Sequence, residues 1–313
     1  MIVTLTANPA LDRTITLPAP LAPGEVQAAT SSREDAGGKG INVARVIAAA
    51  SSPVVAVLPL ADDDPYRVPL EAAGVPTRAV PVARPVRANL ALTDQDGVTT
   101  KINLPGVALS ADDVAALTDA VVAASEGATW LVLAGSLPDA LADTFYVDVA
   151  RAVRARWGAQ APKIAVDTSG PALRQVVAHG APDLIKPNDD ELAEFTGAAL
   201  DPADPAGVAE AVARTIVPAQ VASALVTLGS AGAVLVTANG AWFCPAPRIR
   251  VASTVGAGDS SLAGYLLADV AGGAPEDRLL SAIRYGAAAA SLPGTQVPSP
   301  ADLGGESLTV RSL

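Results

Sequence analysis

The chain has 313 residues, half of them hydrophobic, and a formal net charge of -11. That length can bury a full core, in one large domain or two small ones. The acidic balance, the lack of any strongly basic stretch and the presence of only three Phe and four Tyr argue against nucleic acid and anionic membrane as partners.

No apolar run reaches transmembrane length, because Asp, Arg, Pro or Gly interrupts each one. The opening MIVTLTANPALDRT reads as a strand and lacks the basic start and cleavage site of a signal peptide, so a soluble cytoplasmic protein is expected. Cys244 is the only cysteine and His179 the only histidine, which excludes disulfide frameworks and Cys/His zinc sites within one chain. His179 precedes Gly180 and fits a helix C-terminus better than a catalytic triad. No G-x-S-x-G elbow is present either.

In chain order, short apolar runs alternate with Ala-rich amphipathic stretches. Strands are expected at Ile2–Thr6, Val54–Leu60, Trp130–Gly135, Lys163–Thr168, Leu184–Lys186 and Leu225–Leu228. A helix is expected at Ile41–Ala50, with Val43, Val46, Ile47 and Ala50 on one face. Near-continuous apolar strands between such helices indicate a mostly parallel sheet covered on both sides, hence an α/β fold. Two excursions break the rhythm. Residues 12–35 are polar-alternating and punctuated by Pro and Gly, and Asn89–Thr93 and Val98–Asn103 flank a D-Q-D-G turn as a hairpin would. The two, spanning roughly 12–35 and 86–104, are expected either as surface hairpins or as a small sheet that covers the carboxyl edge of the main one. The stretch 301–313 reads as a weakly ordered tail. No linker or repeat divides the chain, so one domain over 1–313 is expected.

Four segments carry the chemistry. In Gly37-Gly38-Lys39-Gly40-Ile41-Asn42, glycines let backbone approach a ligand where a helix begins, Lys39 offers a charge to a phosphate and Asn42 can take hydroxyls. A tight turn is the plainer reading, and the segment is no Walker A. In Thr254-Val255-Gly256-Ala257-Gly258-Asp259, the glycines open a helix whose buried side is expected to hold Leu262, Leu266, Leu267 and Val270. Backbone amides of Gly256, Ala257 and Gly258 can hold an anion there, and Asp259 can act as a general base or serve merely as a favourable first-turn acid. In Lys186-Pro187-Asn188-Asp189-Asp190-Glu191, Asn188 and Glu191 form a capping box; they can also organise the water shell of a Mg2+ on nucleotide phosphates. Thr227-Leu228-Gly229-Ser230-Ala231-Gly232 is a glycine turn between strands, suited to a hairpin or to a nucleotide.

Together, in this order, these segments resemble the PfkB family of carbohydrate kinases over nearly the whole chain. Asn8-Pro9-Ala10-Leu11-Asp12 resembles a further element of its phosphosugar kinase branch. The resemblance implies a ribokinase-like fold, a β-sheet lid through which two chains form a homodimer, and MgATP as phosphoryl donor to a phosphosugar. It implies that Asp12, Gly38, Lys39, Asn42, Arg87, Asn89 and Ser136 meet the phosphosugar, Arg87 at its phosphate. Lys186, Asn188, Thr227, Gly229, Gly232 and Thr254 would then serve ATP, Glu191 a water-shelled Mg2+, and Gly256, Ala257 and Gly258 the anion hole beside the base Asp259.

The run Ser253-Thr254-Val255-Gly256-Ala257-Gly258-Asp259-Ser260 is similar to the branch acting on fructose 1-phosphate, which makes fructose 1,6-bisphosphate the expected product. Fructose 6-phosphate and tagatose 6-phosphate are the alternatives, and a non-catalytic sugar-phosphate sensor is a further one. Three departures bear on substrate choice or packing: 58–64 lacks the family's glycines, Leu104 and Val107 stand where Glu and Pro are expected, and Ser261 replaces a bulkier apolar residue.

Overall fold

Two kinds of strand share the chain. Those rich in Ile, Val and Leu are buried along their whole length, while a second set is half-buried or exposed and carries polar residues at alternate positions. The computed structural model describes residues 1–197 and 203–313, and these sort the two kinds into two sheets.

The chain opens with β1 (Ile2–Leu5), β2 (Ala10–Thr16) and β3 (Ser31–Gly37), then enters α1 (Lys39–Ala49). Next come β4 (Val54–Leu60), α2 (Arg67–Ala72), β5 (Thr77–Pro81) and the hairpin β6 (Arg87–Thr93) and β7 (Thr99–Asn103). After α3 (Ala111–Ala124) follow β8 (Trp130–Ala134), α4 (Phe145–Trp157), β9 (Lys163–Asp167), α5 (Gly170–His179), β10 (Leu184–Ile185) and α6 (Asp189–Thr196). Helix α7 (Pro205–Ala213) leads to β11 (Ser223–Thr227), β12 (Ala233–Thr237) and β13 (Gly240–Cys244). The remainder is α8 (Ala257–Val270), α9 (Pro275–Ser291) and β14 (Arg311–Ser312).

The ten-stranded sheet runs β14-β13-β12-β11-β10-β9-β8-β1-β4-β5. Its pairs from β11 to β5 are parallel, and β11 to β14 are antiparallel. Helices cover both faces. One apolar layer joins Leu131, Leu133 and Val166 to α3, α4 and α5; the other joins Leu58, Val132 and Leu235 to α1, α8 and α9. Strand order reverses between β8 and β1, and the carboxyl ends of parallel strands at such a reversal leave a crevice for ligands. This is the α/β, ribokinase-like fold that the sequence led us to expect.

The smaller sheet has the order β3-β2-β6-β7. Asp35, Asp12, Asn89 and Asn103 stand in one row across it, because the pairings Asp12–Asp35, Asp12–Asn89 and Asn89–Asn103 are all in register. The hairpin turns at Asp94, whose carboxylate accepts from the amides of Asp96 and Val98, and Gly97 takes the positive φ of 82°.

Two expectations need correction. Val270 is exposed, and the buried stripe of α8 runs instead through Leu262, Tyr265, Leu266 and Asp269. Asp269 takes the inner position because its carboxylate receives Trp130 Nε1 at 2.8 Å and pairs with Lys163 and Arg278, each at 3.0 Å. The stretch 301–313 is also not a loose tail: β14 pairs with β13, and the Arg311 guanidinium lies over the Phe243 ring at 4.9 Å. Among the described residues no helix is long and apolar enough to cross a membrane.

Helices α8 and α9 approach closely at Gly264, whose carbonyl accepts from Ser281 Oγ at 2.7 Å. A Cβ there would stand 2.6 Å from the Ser281 carbonyl oxygen and 2.8 Å from the Tyr285 ring. Gly264→Ala is therefore expected to push α8 outward and destabilise the fold by about 1–3 kcal/mol, read as a lowered urea midpoint with an unchanged slope.

Candidate active site

The site residues stand at the carboxyl ends of parallel strands and at the starts of the helices that follow them. Asp167 ends β9, Lys186 follows β10, and Thr227 ends β11, bridging to Asn188. At the strand reversal, Asn8 Nδ2 after β1 donates to Ser136 Oγ after β8 at 3.3 Å.

Helix α8 begins at Gly256 in the left-handed region, with φ 75°, which a side chain would strain. Amides of its first turn have no intrahelical acceptor, so Gly258 and Asp259 present their N–H groups with the positive end of the helix dipole. The Lys186 ammonium lies against this turn, 3.2 Å from where a Cβ on Gly258 would stand. Together these make a concave anion site.

Asp259 is 6% exposed and accepts from Asn42 Nδ2 at 2.8 Å. Burial, and secondarily the Asp167 carboxylate, push its carboxyl up to about 6, against the opposing pull of Lys39, the Asn42 hydrogen bond and Lys186. A carboxylate poised there is ionised at neutral pH and basic enough to take a proton.

Behind it lies a buried charge network that the sequence reading missed. Asp167 is wholly buried between two ammonium groups, Lys39 at 2.8 Å and Lys186 at 3.0 Å. Burial alone would raise its carboxyl, but Lys186 and Lys39 outweigh that and hold it below the usual aspartate range. Burial likewise works against the Lys39 ammonium, yet Asp167, Asp259 and Glu191 together keep it above the ordinary lysine range. The available signal was an Asp closing an apolar parallel strand, Lys-Ile-Ala-Val-Asp, where such sheets place ligand groups.

A cleft of about 790 Å³ brings most of the expected residues together: Lys39, Lys186, Asn188, Glu191, Thr227, Gly229, Gly232, Thr254, Gly256, Ala257, Gly258 and Asp259 all line it. Its far end is apolar, with Ile249, Val251, Ile283 and Ala287. Gly232 has φ 121°, and a Cβ there would collide with the Cys244 carbonyl oxygen. The capping box is formed: Asn188 Oδ1 accepts from the Glu191 amide at 2.7 Å, and Glu191 Oε2 accepts from the Asn188 amide at 3.0 Å. Glu191 Oε1 remains 3.9 Å from the Lys39 ammonium. Among the described residues no group of three or more His, Cys, Asp and Glu is placed to hold a metal ion by itself.

Asp12, Arg87, Asn89 and Ser136 do not line this cleft. The first three belong to the small sheet, where Asn89 Nδ2 donates to Asp12 Oδ1 at 2.8 Å. Burial, more than the opposing Asn89 and Arg87, raises the Asp12 carboxyl. Arg87 Nε is buried without a partner, while Nη1 reaches only the Leu104 carbonyl at 3.4 Å. Gly38, with φ 118°, joins β3 to α1 and so connects the small sheet to the cleft.

A doubly covered parallel sheet, a helix start with free amides and a buried carboxylate at its mouth suit phosphoryl transfer on an α/β architecture. The pattern of the pfkB family carbohydrate kinases matches residues 6–302, and the chain belongs to that family. It is 34% identical to a 1-phosphofructokinase of Rhodobacter capsulatus over 100% of this chain and 98% of that protein. It is 35% identical to a 1-phosphofructokinase of Haloferax volcanii over 97% of this chain and 95% of that protein. Among solved structures, phosphofructokinase-2 from Escherichia coli in complex with fructose-6-phosphate superposes with a TM-score of 0.85 at 29% identity, over 96% of each chain. Family membership makes the chain an ATP-dependent sugar kinase.

Replacing Asp167 by Asn leaves Lys186, itself 4% exposed, buried beside a neutral group. The variant is expected to lose about 3–5 kcal/mol at pH 7. A depressed carboxyl contributes stability above its unfolded value of 3.8 and loses it as pH falls through the folded one. The denaturation curves of the two proteins should therefore begin to approach each other only below about pH 3.8 and coincide once pH is below the lowered folded value.

Proposed function

We propose that this kinase transfers the γ-phosphoryl group of ATP to the free primary hydroxyl of a ketohexose phosphate, with fructose 1-phosphate as substrate and fructose 1,6-bisphosphate as product. The observation that carries the reading is Asp259: a buried carboxylate, oriented by Asn42, at the mouth of the α8 anion site. Relatives named 1-phosphofructokinase, 30–35% identical over most of this chain, favour the substrate. Fructose 6-phosphate is the second reading, supported by the neighbour solved with that sugar.

In this reading the phosphosugar lies beneath the small sheet, which acts as a lid. Asp12 and Asn89 hold its hydroxyls, Lys39, Asn42 and Ser136 line its site from the core, and Arg87 offers free guanidinium donors to its phosphate. The nucleotide occupies the cleft, its base toward Ile249, Val251 and Ile283, its ribose toward Thr227, Gly229 and Gly232, and its phosphates toward Lys186, Asn188 and Thr254. MgATP would supply the phosphoryl group and a divalent charge on the phosphates, and Glu191, through Oε1, with Asn188 would hold the water shell of Mg2+.

The sugar oxygen attacks phosphorus in line, its proton passes to Asp259, and the bond to the β-phosphate oxygen breaks to release ADP. Charge on the transferring group meets the amides at the start of α8 and the Lys186 ammonium. Closure of the lid excludes water.

The test is ADP and phosphorylated-sugar formation with MgATP and, separately, fructose 1-phosphate, fructose 6-phosphate, tagatose 6-phosphate and ribose. Fructose 1-phosphate is expected to give the highest kcat/KM. Because Asp259 must be ionised, kcat/KM should rise with pH through about 6 and level off above it. Asp259→Asn should lower kcat about a thousandfold, on the scale of general-base catalysis, while retaining ATP binding by calorimetry. Near-normal kcat in that variant would remove Asp259 from its role.

Pairing of two chains through the lid belongs to the same reading. Ile15, Leu90, Leu92, Ile102 and Leu104 share the sheet face opposite Asp12 and Asn89, and Ile102 and Leu104 are 45% and 43% exposed. Sedimentation is expected to show a dimer that Ile102→Lys dissociates; a wild-type monomer would count against it.

A further inference from the structure

The turn between β4 and α2 belongs to neither the cleft nor any of the motifs, yet it carries two buried polar side chains. Asp64 is 4% exposed and Tyr66 is fully buried. Side chains of this kind need a reason to be inside. Asp64 uses both oxygens on backbone amides: Oδ1 accepts from Tyr66 N at 2.9 Å and Oδ2 from Val86 N at 2.7 Å. The Tyr66 hydroxyl donates to the Gly37 carbonyl at 2.7 Å. Burial, followed by the Asp12 carboxylate, raises the phenol far above its usual range, so it remains a donor throughout the working pH range.

The partners of this turn are the informative part. Val86 immediately precedes Arg87 at the start of β6, and Gly37 ends β3 two residues before Lys39. Both are points where the small sheet joins the core. Gly37 also packs so tightly on the Asp12 carboxylate that any Cβ there would overlap it. One rigid turn thus holds the backbone beneath Arg87 on one side and beneath Asp12 and Lys39 on the other. The turn is itself braced, by Arg67 Nε donating to the Ala61 carbonyl at 3.0 Å and by Arg67 N donating to the Asp64 carbonyl at 3.0 Å.

We propose that Asp64 and Tyr66 are positioning residues for the phosphosugar, fixing the start of β6, from which Arg87 reaches it, and the end of β3, against which the Asp12 carboxylate of β2 packs. This rests on the reading that Arg87 and Asp12 receive the phosphosugar. Neither Asp64 nor Tyr66 touches the nucleotide cleft, so their effect falls on one substrate only. A purely structural turn would instead lower stability and leave the two KM values in proportion.

Two variants isolate the contacts. Asp64→Asn keeps the shape but turns one acceptor oxygen into a donor facing a backbone N–H. Tyr66→Phe removes only the hydroxyl. Each is expected to raise the phosphosugar KM about fivefold to tenfold, the scale of one lost hydrogen bond, with the ATP KM within about twofold of wild type. In an Arg87→Ala background, Asp64→Asn should add less than about twofold, because the contact it disturbs acts through Arg87. Additive effects in that background, an unchanged phosphosugar KM, or an ATP KM rising in step would overturn the inference. A wild-type protein inactive on every sugar phosphate would instead overturn the functional reading beneath it.

Discussion

Asp167 is the charge on which the rest of the site depends. It is wholly buried at the end of β9, and burying a carboxylate is costly unless cations meet it. Lys39 from α1 and Lys186 from the end of β10 supply them, so one carboxylate ties together three elements distant in sequence. Its influence extends further, since its negative charge helps raise Asp259 while Lys39 and Lys186 restrain that rise. The fold tolerates a buried, partly desolvated base because the neighbouring charges nearly balance.

The second constraint is backbone approach. At the start of α8 the chain offers amides rather than side chains, and the Lys186 ammonium lies 3.2 Å from where a Cβ on Gly258 would stand. At Gly37 and Gly232 the chain passes so close to a carboxylate or a carbonyl that no Cβ fits. These glycines serve proximity as much as conformational freedom. They let main chain and charge converge on a small volume.

The two sheets divide the labour. The large parallel sheet, covered by helices on both faces, gives a rigid edge on which α1, α6 and α8 aim their first turns at one cleft. The small sheet carries Asp12, Asn89 and Arg87 on strands that are half-buried and joined to the core through few chain crossings. Two of those crossings are gripped by Asp64 and Tyr66. Under the proposed function the two sheets share one site, and its precision then depends on how firmly those crossings are held.

The sequence by itself determined the fold class and most of the cleft. Alternation of apolar strands with amphipathic helices is local, and so are the glycines, lysines and capping pairs that mark helix starts; Gly38, Lys39, Asn188, Glu191 and Gly256 to Asp259 were legible for that reason. The small sheet was legible as two polar-alternating excursions, though not its strand order or the row from Asp35 to Asn103, because register depends on pairing between segments as far apart as Asp12 and Asn89, 77 residues. Val270 was misplaced because a periodic stripe cannot show that a buried carboxylate, Asp269, takes the inner position when a tryptophan, a lysine and an arginine converge on it. Only the tertiary structure decided that Asp167 anchors the charge network, that Asp259 is raised to about 6, and that the turn at Asp64–Tyr66 holds the small sheet at Val86 and Gly37. Burial and Coulomb interaction depend on distance in space, and for Lys39 and Asp167, 128 residues apart, the chain order carries no trace of a separation of 2.8 Å.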